Sequence, residues 1–268
     1  MIKQNQFKKA LNDDKPSFGL WQGIPDPSVA EIGAGAGFDW VLIDAEHGPF
    51  DLRSVMSHLR AVEPYPVSAL VRPVEGSTAL IKQLLDIGAQ TLLVPMVDCA
   101  EQAQQIVQAA KYPPQGIRGL GTSMARAANW NRTVDYLTQA NDEICIIVQI
   151  ETLAGLQNLE SIVNVQGVDA VFIGPSDLSA AMGYIGDPGH PDVIAAIENG
   201  FKVIQQAGKS AGVLAVTKEL VETYIDAGAA FIGVGVDAAL LANATRRLAK
   251  QFICDASLDS AEKESEGY

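Results

Sequence analysis

Two carboxylates, Glu151 and Asp177, each stand where a short apolar run breaks into a turn. The runs read Cys-Ile-Ile-Val-Gln-Ile-Glu (145–151) and Ala-Val-Phe-Ile-Gly-Pro-Ser-Asp (170–177). An acid at the end of a buried run is costly unless something positive meets it. On consecutive strands of a barrel the two acids converge on one spot. They then suit a divalent cation held by oxygen, Mg²⁺, Mn²⁺ or Co²⁺, with positions left open for substrate. Either acid alone serves equally well as a helix N-cap, because Asp177 precedes Leu-Ser-Ala-Ala and Glu151 precedes Thr-Leu-Ala-Gly. Their pairing at adjacent strand ends favours the metal.

Other polar residues fall at comparable positions. The segment Asp44-Ala45-Glu46-His47-Gly48-Pro49 starts on an apolar run and ends in a turn. A histidine beside a carboxylate can act as a proton acceptor, and Asp44 is the expected orienter of His47, in preference to Glu46. The alternative is a surface loop histidine, which is also the expectation for His58 and His190. Arg72 closes the run Ala-Leu-Val and precedes Pro73. Its guanidinium suits a carboxylate or an enolate oxygen, or else an ion pair with Asp44 or Glu46. Gly174-Pro175-Ser176-Asp177 leads into a helix, either as a seat for a small carboxylate or as an ordinary helix start. Trp21, Gln22 and Gln149 complete the set of strand ends. None of the eleven lysines lies inside a strand run, which disfavours imine chemistry.

These residues need a scaffold that brings strand ends together. Eight apolar, β-rich runs recur: 18–22, 40–44, 67–72, 91–95, 145–151, 170–174, 212–216 and 231–236. Most are apolar on consecutive positions, as strands covered on both faces are. Helical stretches alternate with them at 51–62, 77–87, 101–111 and 192–207, and several end in a glycine turn. This alternation predicts an α/β fold, a single-domain (β/α)₈ TIM barrel over residues 1–254. A doubly wound open sheet is the runner-up, but Gly33-Ala34-Gly35-Ala36-Gly37 precedes a strand and makes no phosphate loop. Residues 111–142 form a long connection, expected to be a functional loop.

Composition sets the outer bounds. The chain has 268 residues, is 48% hydrophobic and carries a net charge of −13, which argues against nucleic acid as a partner. Residues 255–268 hold five acids and one lysine, a net of −4, and read as a flexible acidic tail. Cys99, Cys145 and Cys254 are unclustered, so neither a disulfide framework nor a zinc set is expected. With no signal-like N-terminus and no membrane-length apolar stretch, a cytoplasmic setting is the default.

Six motifs carry a resemblance. They are Ile-Asp-Ala-Glu-His (43–47), Val-Arg-Pro (71–73), the segment 82–97, Tyr-Pro-Pro-Gln-Gly-Ile-Arg-Gly (112–119), Val-Gln-Ile-Glu (148–151) and Phe-Ile-Gly-Pro-Ser-Asp-Leu-Ser (172–179). Together they resemble the HpcH/HpaI aldolase family of metal-dependent pyruvate aldolases. The resemblance implies a lyase that cleaves or forms the C3–C4 bond of a 4-hydroxy-2-oxo acid, giving pyruvate and an aldehyde. A 4-hydroxy-2-oxoheptanedioate-like substrate from aromatic-acid breakdown is the nearest implied. Sugar-derived 2-keto-3-deoxy acids or 5-keto-4-deoxyglucarate are the alternative, and acyl-CoA lyase chemistry is the rival.

The same resemblance implies roles by position. Glu151 and Asp177 would bind the metal, and Arg72 the pyruvate keto oxygen. His47, oriented by Asp44, would be the base. Gln149, Gly174, Ser176 and Asp177 would line the pyruvate site, and Trp21 and Leu214 the aldehyde side. Asp86 would reach a neighbouring subunit's site in a homohexamer, a trimer of dimers that exchange a C-terminal helix. Three features depart from the family pattern: the two prolines of Gln-Gly-Ile-Pro-Asp-Pro (22–27), Ala45 where Gly is common, and Ser176 where Ala is common.

Overall fold

A computed structural model describes residues 2–13 and 15–253. The acidic tail expected at 255–268, and Cys254 with it, lie outside the described residues. Eight parallel strands close a barrel in sequential order: β1 (Ser17–Gln22), β2 (Trp40–Asp44), β3 (Ser68–Arg72), β4 (Thr91–Val94), β5 (Cys145–Ile150), β6 (Ala170–Ile173), β7 (Ser210–Leu214) and β8 (Phe231–Val236). The (β/α)₈ expectation holds, with strand bounds within two residues of those read from the sequence.

The helices begin with α1 (Gln6–Ala10), α2 (Pro27–Ala34), α3 (Leu52–Val62), α4 (Thr78–Asp86), α5 (Ala100–Ala110) and α6 (Tyr136–Glu143). They continue with α7 (Leu153–Gln157), α8 (Leu159–Val163), α9 (Pro175–Ala181), α10 (Pro191–Gln206), α11 (Lys218–Asp226) and α12 (Asp237–Phe252). Among the described residues, no helix is long and apolar enough to cross a membrane.

Strand parity divides the core into two layers. Outward-facing residues such as Ile43, Val71, Val148, Val171 and Ile232 meet the helices. Their neighbours Leu42, Leu70, Leu93, Ile147 and Phe172 fill the barrel interior. An aromatic column rises through that interior. Phe7 of α1 plugs the floor, edge-on to Phe231 at 5.4 Å and Trp40 at 6.1 Å. Trp21 sits above them, 5.9 Å from Trp40 and 5.4 Å from Phe172. This parity also carries Asp44, Arg72, Gln149 and Glu151 to the inner face at the C-terminal rim.

The long connection at 111–142 does not lie over the rim. It follows α5 and feeds β5, so it belongs to the opposite face, where strands begin. It is also not a bare loop: it holds a 3₁₀ turn at Arg126–Ala128, α6, and a small core of Tyr112, Ala125, Ala128, Tyr136 and Ala140. The fully buried Arg118 ties it to the barrel. It stacks on Tyr112 at 4.5 Å and donates to Asp86 at 2.7 Å.

The eighth barrel helix, α12, is seated only at its start. Its Asp237 is buried, whereas Leu240, Leu241, Leu248 and Phe252 are all more than half exposed. Its principal contacts are with β1 and β8 and not with a neighbouring helix.

Candidate active site

Adjacent strands build the rim from paired positions. Asp44 and Arg72 are register partners on β2 and β3. Arg72 donates from Nε to Asp44 Oδ1 at 2.8 Å and from Nη2 to Oδ2 at 2.6 Å. Its Nη1 lies 2.9 Å from Glu46 Oε2, and the guanidinium is 5.6 Å above the Trp21 ring. Burial pulls the Arg72 guanidinium down, but Asp44, Glu46 and Glu151 outweigh burial and hold it above its ordinary value.

The expected dyad of Asp44 with the His47 ring is not what forms. Both oxygens of Asp44 are engaged by Arg72, and Oδ1 also accepts the backbone N–H of Glu46 at 3.1 Å and of His47 at 3.4 Å. Asp44 therefore holds the His47 turn by its main chain. The imidazole, 66% exposed, is nearer to Glu46, at 3.9 Å from Nε2 to Oε2. Glu46, passed over in the sequence, faces the site after all, because the tight turn at Gly48 brings it back over Arg72.

Glu151 follows β5 and is buried. Its Oε1 accepts the Met96 N–H at 2.8 Å, and its Oε2 accepts from the Gln149 side-chain amide. Thr152, not Glu151, caps α7 by accepting from Gly155 N at 2.9 Å. Asp177 is not the cap of α9 either; Gly174 occupies that position and Asp177 lies exposed in the first turn. Gly174 is pressed against Glu151: a Cβ there would stand 2.8 Å from Glu151 Oε2. The turn that leads to Asp177 therefore packs on Glu151, and Asp177 is near enough to repel it.

Charge at this rim is unbalanced. Burial raises Glu151, and Glu46 and Asp177 push it further up by repulsion. Burial likewise raises Glu46, with Asp44 and Asp177 adding to the effect against Arg72 and His47. Asp44, Glu46 and Glu151 act on the guanidinium of Arg72, and Asp177 adds a further negative charge felt by Glu46 and Glu151. Gln149 Oε1 is buried with no hydrogen-bond partner. A cation beside Glu151 and Asp177 would relieve both features, so the residues present fit a divalent metal. Among the described residues, no three or more His, Cys, Asp or Glu gather into a complete ligand set. A metal here would therefore take its remaining ligands from substrate and water.

Trp21 and Leu214 meet around Gly233, where a Cβ would fall 2.8 Å and 2.9 Å from them. Gln22, grouped with the rim in the sequence, points the other way and donates to Ala30 O of α2 at 3.3 Å. Asp86 ends α4 on the opposite face, bonded to Arg118, far from its own rim. His190 caps α10, accepting from Asp192 N at 3.2 Å. His58 is no surface histidine: it is fully buried.

A family model for HpcH/HpaI aldolase/citrate lyase matches residues 17–244. The chain belongs to this family. It is 57% identical over 263 residues to a hydroxypyruvate/pyruvate aldolase of Deinococcus radiodurans, covering 98% of this chain and 95% of that one. It is 52% identical over 249 residues to a 4-hydroxy-2-oxo-heptane-1,7-dioate aldolase of Shigella sonnei, covering 93% and 95%. A crystal structure of a family protein from Burkholderia cenocepacia superposes with a TM-score of 0.88 at 37% identity, over 92% of this chain and 99% of that one.

Residues missed in the sequence contribute to the HpcH/HpaI site through the main chain. Met96 has a left-handed backbone, φ 56°, which turns its N–H onto Glu151. Nothing in the residue type signals this. Asp237 accepts Gly23 N at 2.8 Å and Ile24 N at 3.2 Å, and so pins the segment leaving β1. An acid at the end of the eighth run was a readable signal for that role.

Proposed function

We propose that the protein is a class II pyruvate aldolase acting on 4-hydroxy-2-oxo acids. The observation that carries the reading is the surplus of carboxylate at the rim, where Asp177 and Glu46 repel a buried Glu151 and Arg72 is buried against Asp44. The family is in general dependent on divalent metal. Glu151 and Asp177 are the residues that would hold the ion, which supplies Lewis acidity to a 2-oxo acid when bound.

Arg72 is locked by Asp44 and Glu46, so its guanidinium is set before substrate arrives and stabilises the developing enolate oxygen of pyruvate. His47, the exposed group beside Glu46, takes the 4-hydroxyl proton as the C3–C4 bond breaks. The amides of Ser176 and Asp177 in the first turn of α9, with Gly174 and Gln149 beside them, receive the carboxylate. Trp21 and Leu214 border the departing aldehyde. The names of the relatives support pyruvate or hydroxypyruvate as the enolisable partner.

We further read the molecule as an oligomer, a hexamer built from dimers that exchange α12. The exposed leucines and Phe252 of α12 support the exchange. On the opposite face, Leu120, Met124, Trp130 and Val134 are exposed in the connection whose Arg118 bonds Asp86, which supports a second contact through which Asp86 reaches a neighbour's site.

The test is pyruvate release from a panel of 4-hydroxy-2-oxo acids, with EDTA-treated protein restored by Mg²⁺, Mn²⁺ or Co²⁺. Activity is expected only after metal is returned, and full activity without it overturns the reading.

A further inference from the structure

His58 has no assigned part in the reaction, yet it touches the structure that carries His47. It lies in the middle of α3, fully buried. Its Nδ1 is 3.2 Å from Ser54 O, one helical turn back, and its Nε2 is 3.1 Å from Ile24 O. Phe50 packs edge-on to the ring, 4.8 Å between centroids. Ile24 belongs to the segment 23–26 that leaves β1, which Asp237 grips from the other side through two backbone N–H groups.

This segment abuts the His47 turn with no slack. A Cβ on Gly48 would fall 2.9 Å from Gly23 O, 2.9 Å from the Phe50 ring and 2.5 Å from Asp44 O. Movement of residue 23 or of Phe50 therefore displaces Gly48, the neighbour of His47. His58 contacts both supports, Ile24 directly and Phe50 through its ring.

The neutral imidazole has one proton for two carbonyl partners. Both ring nitrogens face carbonyl oxygens, which only accept. Burial lowers His58, against the opposing pull of Ile24 O, Ser54 O, Asp237 and Asp26, so the neutral ring with one N–H is favoured. Ser54 O stands opposite the backbone N–H of the residue four ahead, the ordinary helical donor. Ile24 O receives only the Asp26 N–H besides. Each carbonyl thus already takes one backbone N–H; a proton on Nε2 would tie α3 to the segment leaving β1, whereas one on Nδ1 would bond only within α3.

We propose that His58 is a positioning residue for the reaction: its Nε2–H bond to Ile24 O, with its packing on Phe50, sets the height of the His47 turn. This rests on the reading of His47 as the base. It also gives a role to the Pro25-Asp26-Pro27 departure from the family pattern, since a stiff segment transmits a single anchoring bond better than a flexible one.

The experiment compares His58→Leu and His58→Gln in the metal-loaded enzyme, with His47→Ala alongside. His58→Leu is expected to lower kcat about 10-fold with little change in KM, the cost of a small misplacement of the base. His58→Gln, which keeps a donor toward Ile24 O, is expected to recover most of that loss. Unchanged kcat in a His58→Leu enzyme of lowered melting temperature overturns the inference and leaves His58 a core residue. Equal loss in both variants overturns the hydrogen bond as the cause. Full activity of His47→Ala overturns the base assignment and this inference with it, whereas an inactive His47→Ala beside a fully active His58→Leu overturns the inference alone. Should the Leu variant not fold, ¹⁵N spectra of the wild-type imidazole decide: a protonated Nε2 supports the assignment, and a bare Nε2 overturns it.

Discussion

Asp44 and Arg72 face each other as register partners on β2 and β3 and are joined by two hydrogen bonds of 2.8 and 2.6 Å, with both side chains buried. Removing one member of such a pair leaves a buried charge without a partner, which costs about 3–5 kcal/mol. Arg72→Ala is therefore expected to lose stability as well as turnover, and Arg72→Lys to lose the two-pronged bond to Asp44. Urea unfolding and pyruvate release measured on the same preparations check this. Wild-type stability in Arg72→Ala would remove the ion pair as a structural element.

His47 contrasts with Arg72, because its ring is exposed and its backbone does the structural work. His47→Ala keeps the N–H that Asp44 accepts. It is expected to fold normally and to lose about 10²–10⁴ in kcat, as the loss of a general base does. A thermal melt beside a progress curve separates the two. Glu46→Gln should give a smaller loss, since it removes the carboxylate nearest the ring while sparing the ring itself.

Much of this was legible in the sequence, and the reasons are physical. Strands covered on both faces leave continuous apolar runs, so all eight were visible. Their place at the ends of these runs gathered Arg72, Gln149 and Glu151 at one rim before any contact was known, and strand parity in the structure turns them to the inner face. What parity could not decide was the partner of Asp44, because Arg72 and His47 compete for one carboxylate and a bidentate guanidinium wins. His58 was misread, although the signal was present: Val55, His58, Leu59 and Val62 are the buried residues of α3, at helical spacing. The 111–142 connection reads from its length as a functional loop; the small core it holds was not legible, and because it follows a helix it lies on the face opposite the rim. The left-handed turn at Met96 had no signal, because a side chain of that size does not announce a positive φ.

Metal removal should make stability depend on pH in a defined direction. Burial, with mutual repulsion, holds Glu46 and Glu151 above the ordinary glutamate value of 4.5. Between that value and the folded-state pKa the folded protein binds more protons than the unfolded chain. Its stability therefore falls as pH rises through this window. A divalent cation opposes the fall by favouring the ionised acids, and competes with protons below it. EDTA-treated protein is expected to gain more in melting temperature from Mn²⁺ at pH 7 than at pH 5. Glu46→Gln should flatten the metal-free profile. A Mn²⁺ shift equal at both pH values would show that Glu151 does not bind the ion.

The exposed face of α12 leads to the last prediction. Phe252 is 80% exposed and Leu248 58% exposed, on a helix whose principal contacts are with β1 and β8. An isolated chain would leave this apolar surface in water, and covering it is worth about 25 cal/mol per Å². In the exchange proposed above each α12 would be covered by the partner barrel, so a charge placed there would penalise assembly and not the barrel core. Leu248→Asp with Phe252→Asp is expected to lower the mass seen by native mass spectrometry while keeping the far-ultraviolet circular dichroism of the barrel. If the smaller species also loses turnover, the site depends on a neighbouring subunit, as the assignment of Asp86 to a neighbour's site requires. A smaller species with full turnover would mean that each barrel completes its site alone.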